Sequence, residues 1–397
     1  MEIEIKRWFQ INVLFVTLSS HQKNTSAMIR NKALIKGLKI DGHKIDVLTL
    51  PARENDEYYD NSNGIIDCDR VIYTENNKIY NSLVESNQTM LGIVKKTILP
   101  LLRKVYHSFS LFDNSINVAK NINKGLLKID YYDLIISSSD PKSSHVAVSK
   151  LIEQGLKYGE WVQYWGDPLT LDITNKTILP NAYIKKVEYR LLSQANRIIY
   201  VSPFTLKEQR KLFPELAERM KFVPIPYLDE KIYVINKINE ESLKLGYFGD
   251  YKYEVRNLLP FYSACKNNNF SCVIAGNSNM ELSSTKDIFV LPRINQSKVE
   301  QLEKECSILI CVLNKTGTQI PGKLYHYAAT NKPILVILDG DHVNEIVEYL
   351  NSFDRFYTCK NNEKSIVNTI KDILIEKREY IPSPEFKPEV IARKIIG

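Results

Sequence analysis

The residues best suited to chemistry lie in one short segment near the C-terminal end, IPGKLYHYAATNKPILVI from Ile320 to Ile337. Pro321 and Gly322 open a turn, and Lys323 to Thr330 reads as a short helix. The Lys332-Pro333 pair disfavours further helical backbone, so the helix stops at Asn331. The apolar run from Ile334 to Leu338 then reads as a buried parallel strand. A helix start of this kind presents unpaired backbone N–H groups and a partial positive charge, and Lys323 in the first turn adds a full one. The order loop, helix, strand therefore suits a diphosphate. Group transfer away from a diphosphate needs such a clamp, because negative charge builds on the leaving oxygens in the transition state.

The same residues resemble the donor-binding stretch of family 4 glycosyltransferases, which have the GT-B fold. There Pro-x-Lys-Leu-Phe-Glu-Tyr precedes small residues and Lys-Pro. Here the run is Pro321-Gly322-Lys323-Leu324-Tyr325-His326-Tyr327, followed by Ala328-Ala329 and Lys332-Pro333. The resemblance implies that Pro321, Gly322, Lys323 and Leu324 belong to a nucleotide-sugar site. The family usually carries two glutamates with seven residues between them, the second gripping the ribose hydroxyls. Thr318 and His326 occupy the matched positions. A neutral imidazole accepts one hydrogen bond from a hydroxyl but lacks the bidentate geometry of a carboxylate, which leaves the choice of donor open.

Other features follow from the resemblance in the same way. Such enzymes carry two basic residues in the first loop of the second domain, one just after a glycine and one six residues on. Gly249, Asp250 and Arg256 stand at those positions, with Lys252 a substitute for the missing first cation. Gly276 ends a strand where the backbone must approach a ligand closely, and Arg293-Ile294 falls where similar enzymes cradle the nucleobase. The loop after the first strand, with Ser20, faces the donor phosphates in the family, and Arg30 stands where the next helix often has an arginine. On the acceptor side, Asp140-Pro141, His145 and Trp165-Gly166-Asp167-Pro168 resemble a subgroup pattern that implies a catalytic His145 and Asp167. A helix start keeps His145 neutral and able to accept a proton, while Asp167 orients or deprotonates the acceptor hydroxyl. Each of these residues has a plain alternative: a turn-forming Asp before Pro, a packed His, a solvated cation.

Such residues need a frame that brings them to one edge. Strand Val13 to Leu18, a helix from Ser26 to Lys39 and strand Ile45 to Leu50 form a β-α-β unit, and β-α alternation recurs in both halves of the chain. The expected fold class is α/β: two doubly wound, Rossmann-like domains of the GT-B kind, facing each other across a cleft. An acceptor-side domain spans 1–226, with an insertion at about 53–128. A donor-binding domain spans 227–381 and opens with strand Leu243 to Phe248 and a helix near Val255. The last segment, 382–397, crosses back onto the first domain. The loop after the first strand lacks a glycine-rich dinucleotide fingerprint, and no Gly-x-Ser-x-Gly elbow is present, so an NAD enzyme and a serine hydrolase are disfavoured.

The 397 residues, 44% of them hydrophobic and 25% charged, provide ample core for two domains. The first apolar run, Ile11 to Leu18, is too short for a signal-peptide core or a membrane span, so a cytoplasmic protein is expected. Six scattered cysteines without paired close spacing read as reduced, buried thiols. A net charge of +7, not gathered into a basic block, argues against a nucleic-acid binder. Between Leu91 and Phe112, Lys95, Lys96, Arg103 and Lys104 interleave with apolar residues, as in a basic amphipathic helix pair that rests on an anionic membrane or packs on the core.

Asp67-Cys68-Asp69 and Asp339-Gly340-Asp341 are the available Asp-x-Asp pairs, one in a polar stretch and one at a turn, so no metal site is expected. The expected function is metal-independent, retaining glycosyl transfer in bacterial surface polysaccharide or glycoconjugate synthesis. It needs no cofactor beyond its substrates, a nucleotide-sugar donor and a saccharide or lipid-linked acceptor. The alternative is a catalytically degenerate nucleotide-sugar-binding or scaffolding partner in a glycan assembly complex.

Overall fold

The computed structural model describes residues 10–74 and 108–397, apart from 55, 57, 63, 65, 174, 176, 235–241, 341 and 377. Seven strands form the first sheet: β1 Asn12–Val16, β2 Lys44–Thr49, β3 Arg70–Tyr73, β4 Tyr131–Ser138, β5 Lys157–Trp165, β6 Arg197–Tyr200 and β7 Met220–Phe222. Their order is β3-β2-β1-β4-β5-β6-β7, parallel throughout, with β1 between β2 and β4 in registers such as Leu14 to Asp46 and Leu14 to Ile135. Its helices are α1 Ser26–Ile40, α2 Ile116–Lys120, α3 Ser143–Glu153, α4 Asn181–Leu192 and α5 Pro203–Leu212. The six strands of the second sheet are β8 Lys244–Phe248, β9 Ser271–Ala275, β10 Ile288–Leu291, β11 Ile308–Val312, β12 Ile334–Leu338 and β13 Tyr357–Lys360. They lie in the order β10-β9-β8-β11-β12-β13, again all parallel. Helices α6 Leu259–Asn267, α7 Gln296–Glu305, α8 Gly322–Ala328, α9 Val343–Asn351, α10 Glu363–Glu376 and α11 Pro388–Ile396 complete the chain.

Both sheets therefore have the doubly wound order, which reverses between β1 and β4 and between β8 and β11. Crevices for ligands open at those reversals, beyond the carboxyl ends of the strands. Burial on both faces explains the continuous apolar runs: every residue of β11 and of β12 is buried. The sheet residues of the two domains feed three apolar clusters, one of which joins Val13 and Ile136 of the first domain with Leu324, Val336 and Ile391.

α11 packs along α1. Gly37 of α1 permits this approach, because a Cβ there would stand 2.1 Å from the Pro388 carbonyl oxygen. Arg393 bonds the Asp41 carboxylate, Nε at 3.0 Å, and Arg197 Nη2 donates to the Ile396 carbonyl at 2.9 Å. Further contacts across the domains come from Ser202 Oγ and Thr205 Oγ1, which reach Thr318, and from Asp60, whose Oδ2 accepts from the Gln296 N–H at 2.8 Å.

Two expectations about the frame need correction, and a third falls mostly outside the described residues. The stretch 53–128 is not wholly an insertion: Arg70 to Tyr73 is β3 of the main sheet, and α2 packs against α3. Four residues are too few for a strand period to show. Of the basic stretch from Leu91 to Phe112, only residues 108–112 fall within the described residues. The helix placed near Val255 begins at Leu259, because Lys315 N–H bonds the Val255 carbonyl at 2.8 Å and Tyr253 N–H bonds Asn279 Oδ1, fixing that run as a loop. All six cysteines are free thiols, five of them buried. Among the described residues no helix is long and apolar enough to cross a membrane.

Candidate active site

A cavity of about 280 Å³ lies between the domains, at the carboxyl end of β8 and β9 and against the start of α1. The first domain lines it with Asn24, Thr25, Ser26 and Tyr58. The second lines it with Gly249, Asp250, Arg256, Gly276, Arg293, Ile294, Pro321, Gly322, Lys323 and His326. Most residues singled out on the donor side in the sequence thus meet in one space, although they span more than seventy positions.

Local constraints place them. Gly249 follows the end of β8 and Gly276 the end of β9, and the two backbones touch: a Cβ on Gly276 would lie 2.0 Å from the Gly249 carbonyl oxygen. Only a hydrogen fits there, so both loops stay low and leave the cavity open above them. Gly322, at the start of α8, is similarly close to the first domain, its Cβ position 2.3 Å from Ser26 Oγ. Thr25 caps α1, its Oγ1 accepting from the Met28 N–H at 3.3 Å.

The cations divide into two kinds. Arg293 is neutralised: Nη1 bonds Asp250 Oδ2 at 2.8 Å, Nη2 bonds the Asn24 carbonyl at 2.5 Å, and the Tyr58 ring lies 4.5 Å from the guanidinium carbon. Asp250 also accepts from the Asn277 N–H at 2.8 Å, so the residue in place of the expected cation fastens the loop and holds Arg293. Arg256 is held by neutral oxygens, Asn314 Oδ1 at 2.8 Å and the Asp250 carbonyl at 3.3 Å, which position its charge without cancelling it. Burial lowers the Lys323 ammonium below its ordinary value. Burial, reinforced by Lys323 and Lys231, brings His326 down to about 3. His326 is therefore neutral at pH 7, and its buried Nε2 has no protein partner. The arrangement offers two cations and one neutral imidazole to a polyanion with hydroxyl groups.

Several residues expected on the donor side lie elsewhere. Leu324 is fully buried in the core, on the side of α8 away from the cavity. Thr318 Oγ1 lies 2.8 Å from Thr205 Oγ1, in a buried contact between domains. Ser20 is 1% exposed and accepts from the Gln22 N–H, shaping its own loop rather than lining the cavity. Lys252 is exposed outside it.

The acceptor-side residues form a second group at the carboxyl ends of β4 and β5. Lys142 bonds Asp172 at 2.7 Å and Asp140 at 3.2 Å. Burial opposes its charge, but Asp140, Asp172 and Asp167 outweigh that and raise it. Burial and the Asp140 carboxylate push Asp167 up to about 7 against the pull of Lys142. Arg30 is buried over the Tyr164 ring, 5.1 Å from its centroid, with Nη1 crowding Gly166. It belongs to this group and not to the donor cavity. His145 departs from its expected role: it has no exposed surface, stacks on Trp165 at 4.1 Å and shares a 2.7 Å hydrogen bond with Ser137. A ring so enclosed packs the sheet against α3. Among the described residues, no three His, Cys, Asp or Glu side chains gather as a metal site.

Sequence reasoning missed Tyr58, Asp60 and Lys142. Tyr58 sits in a polar stretch with no periodicity, and its backbone has φ +65°, an uncommon conformation for a large side chain that no local motif announces. Lys142 had a readable signal, a cation between Asp140 and a helix start, but its second partner is thirty residues away.

No model of a protein family matches the chain, and no curated protein matches its sequence. Solved structures do. Sucrose-phosphate synthase from Thermosynechococcus elongatus superposes with a TM-score of 0.53 at 13% identity, covering 98% of this chain and 94% of that one. The likeness is one of fold. It is the two-domain GT-B arrangement, each domain Rossmann-like. A glycosyltransferase from Rickettsia africae has a TM-score of 0.49 at 13% identity, covering 98% and 94%, and the lipopolysaccharide outer core galactosyltransferase WaaB has 0.49 at 12%, covering 97% and 99%.

Proposed function

We propose that the chain is a retaining glycosyltransferase that moves a hexose or related sugar from a nucleoside-diphosphate sugar to a saccharide or lipid-linked acceptor. The observation that carries this reading is the convergence of Arg256 and Lys323 on one interdomain cavity floored by Gly249 and Gly276. Two positioned cations stabilise the charge that grows on a departing diphosphate, and the closed, glycine-lined floor lets the donor approach the backbone. The neutral His326 then meets a donor hydroxyl through Nε2.

In the proposed step the bond from the anomeric carbon to the phosphate oxygen breaks, and a bond from that carbon to the acceptor oxygen forms on the same face. The acceptor's proton passes to the departing phosphate, and ionised Asp167 orients the acceptor hydroxyl. No metal is required, since Arg256 and Lys323 supply the positive charge. The retaining outcome and the setting, bacterial surface polysaccharide or glycoconjugate synthesis, rest on the resemblance to family 4. The test incubates purified protein with UDP-, GDP- and other nucleotide sugars in EDTA. The expected result is nucleoside diphosphate release from one donor, with NMR showing the anomeric configuration kept in the product. Binding of a donor without transfer to any acceptor or to water would instead favour the scaffolding partner, for which His326 in place of a carboxylate is the specific argument.

A further inference from the structure

Helix α4 turns one face to solvent, at whose edge Lys185 and Tyr189 flank the Phe213 ring, 5.7 and 6.1 Å from its centroid. Its inner side is buried through Ile184, Leu191 and Leu192. Glu188, the only acid in the helix, also points inward, accepting from the Leu169 and Thr170 N–H groups at 3.0 and 2.9 Å. The outer side carries Tyr183, Lys185, Lys186, Tyr189 and Arg190, all exposed. That face therefore has three positive charges, two aromatic rings and no acid of its own helix.

The face does not end at the helix. Ile178 and Phe109 are 63% and 62% exposed, and the Ile178 N–H bonds the Ser108 carbonyl at 2.8 Å, which sets the two side by side before the first turn of α4. Thr177 Oγ1 bonds the same carbonyl at 3.2 Å. Single exposed apolar residues are ordinary, but four large ones together with three cations are a patterned surface. Lys and Arg stems lie along apolar surface while their heads reach outward, and tyrosine rings favour the boundary between apolar and wet regions. A protein partner would need a pocket for its anchors. Here the apolar tips stand out from a convex helix, which suits insertion among lipid headgroups.

We propose that the outer face of α4, extended by Ile178 and Phe109, is a docking surface for an anionic bilayer. The loop after β5 bonds the inner side of this helix through Glu188 and then reaches the second domain, where the Leu171 carbonyl accepts from Gln319 Nε2 at 3.2 Å, so the outer face is left clear of it. The proposal goes beyond the transfer reading and stands without it, because vesicle binding is read with no sugar substrate present.

The test is cosedimentation of the full chain with phosphatidylglycerol vesicles and with phosphatidylcholine vesicles, at low and high salt. The expected result is binding to phosphatidylglycerol alone, weakened by salt. The variant Lys185→Glu/Lys186→Glu/Arg190→Glu should bind at least about a hundredfold more weakly, since each basic residue at an anionic surface contributes about a fivefold factor. Ile178→Ser/Tyr183→Ser should weaken binding while keeping its salt dependence. The control Lys266→Glu/Lys364→Glu/Lys371→Glu changes the net charge equally on exposed helices of the second domain and should bind far better than the α4 variant. Absence of wild-type binding, or equal loss in the two triple variants, overturns the proposal. Transfer to a soluble acceptor, measured separately, bears on the catalytic reading only.

Discussion

Replacing Gly276 by alanine should damage the donor cavity out of proportion to its size. The added Cβ would stand 2.0 Å from the Gly249 carbonyl oxygen, 2.5 Å from the Gly249 carbonyl carbon and 3.0 Å from the Asp250 nitrogen. All three atoms are backbone, so no rotamer change relieves the overlap. The end of β8 must retreat by well over ~1 Å to restore ordinary contact in a close-packed interior. Asp250 moves with it, and Asp250 both anchors Arg293 and offers its carbonyl to Arg256. Overpacking of this kind costs about 1–3 kcal/mol of stability. A misplacement of about 1 Å at the reacting centre costs on the order of a hundredfold in rate. Thermal unfolding with and without a nucleoside diphosphate would read the first, and initial rates of donor consumption the second. A Gly276→Ala protein that melts with the wild type, keeps its nucleotide-induced shift and turns over normally would refute the close contact and the role given to it.

Lys323→Ala and Arg256→Ala should each remove about 2–4 kcal/mol of transition-state stabilisation, seen as a fall in kcat of a folded protein; unchanged kcat in either removes that side chain from the diphosphate site. Asp167 should govern the pH profile. Its folded carboxyl is raised to about 7, so the ionised form that orients the acceptor grows in as pH rises through that value, and the acidic limb of kcat should vanish in Asp167→Asn. The same raised value destabilises the fold when the group ionises: its contribution is fully present below the unfolded value and lost as pH rises through about 7. Asp167→Asn should therefore gain in Tm over the wild type as pH rises from about 4 to about 7, and a constant difference across that range would contradict the burial argument. Gly37→Ala should lower Tm despite the better helix propensity of alanine, because about 1 kcal/mol of propensity does not offset a Cβ placed 2.1 Å from a backbone oxygen.

How much was legible in the chain depends on the range of the forces involved. Strand β12 and helices α5 and α7 could be read to the residue, because apolar period, Ser202 or Asn295 as a cap, and Pro203 at a helix start are all local signals. Edge strands β3, β7, β10 and β13 were lost, since three or four residues carry no period and their only warrant is the neighbouring strand. In the site, Lys323 and Gly322 could be found from their own turn. The orientation of Leu324, one residue further on, could not, because which face of a seven-residue helix meets the core is decided by packing against the rest of the sheet. His145 illustrates the same limit: its helix start was visible, but the Trp165 ring that encloses it belongs to another strand. Thr318 lost its expected place because α5 of the other domain supplies Thr205 as a partner.

The packing of α11 on α1 has a consequence in time. Residues 26–40 are made early, yet the surface that covers Gly37 and Asp41 comes from residues 388–396, contacts as much as 352 positions apart in sequence. At a synthesis rate of roughly 5–20 residues per second, α1 waits on the order of tens of seconds for its cover. During that interval the first sheet can assemble, but one side of its first helix stays bare. Final closure of the amino-terminal half thus waits for residues 388–396, and the nascent protein presents an apolar groove until α11 emerges.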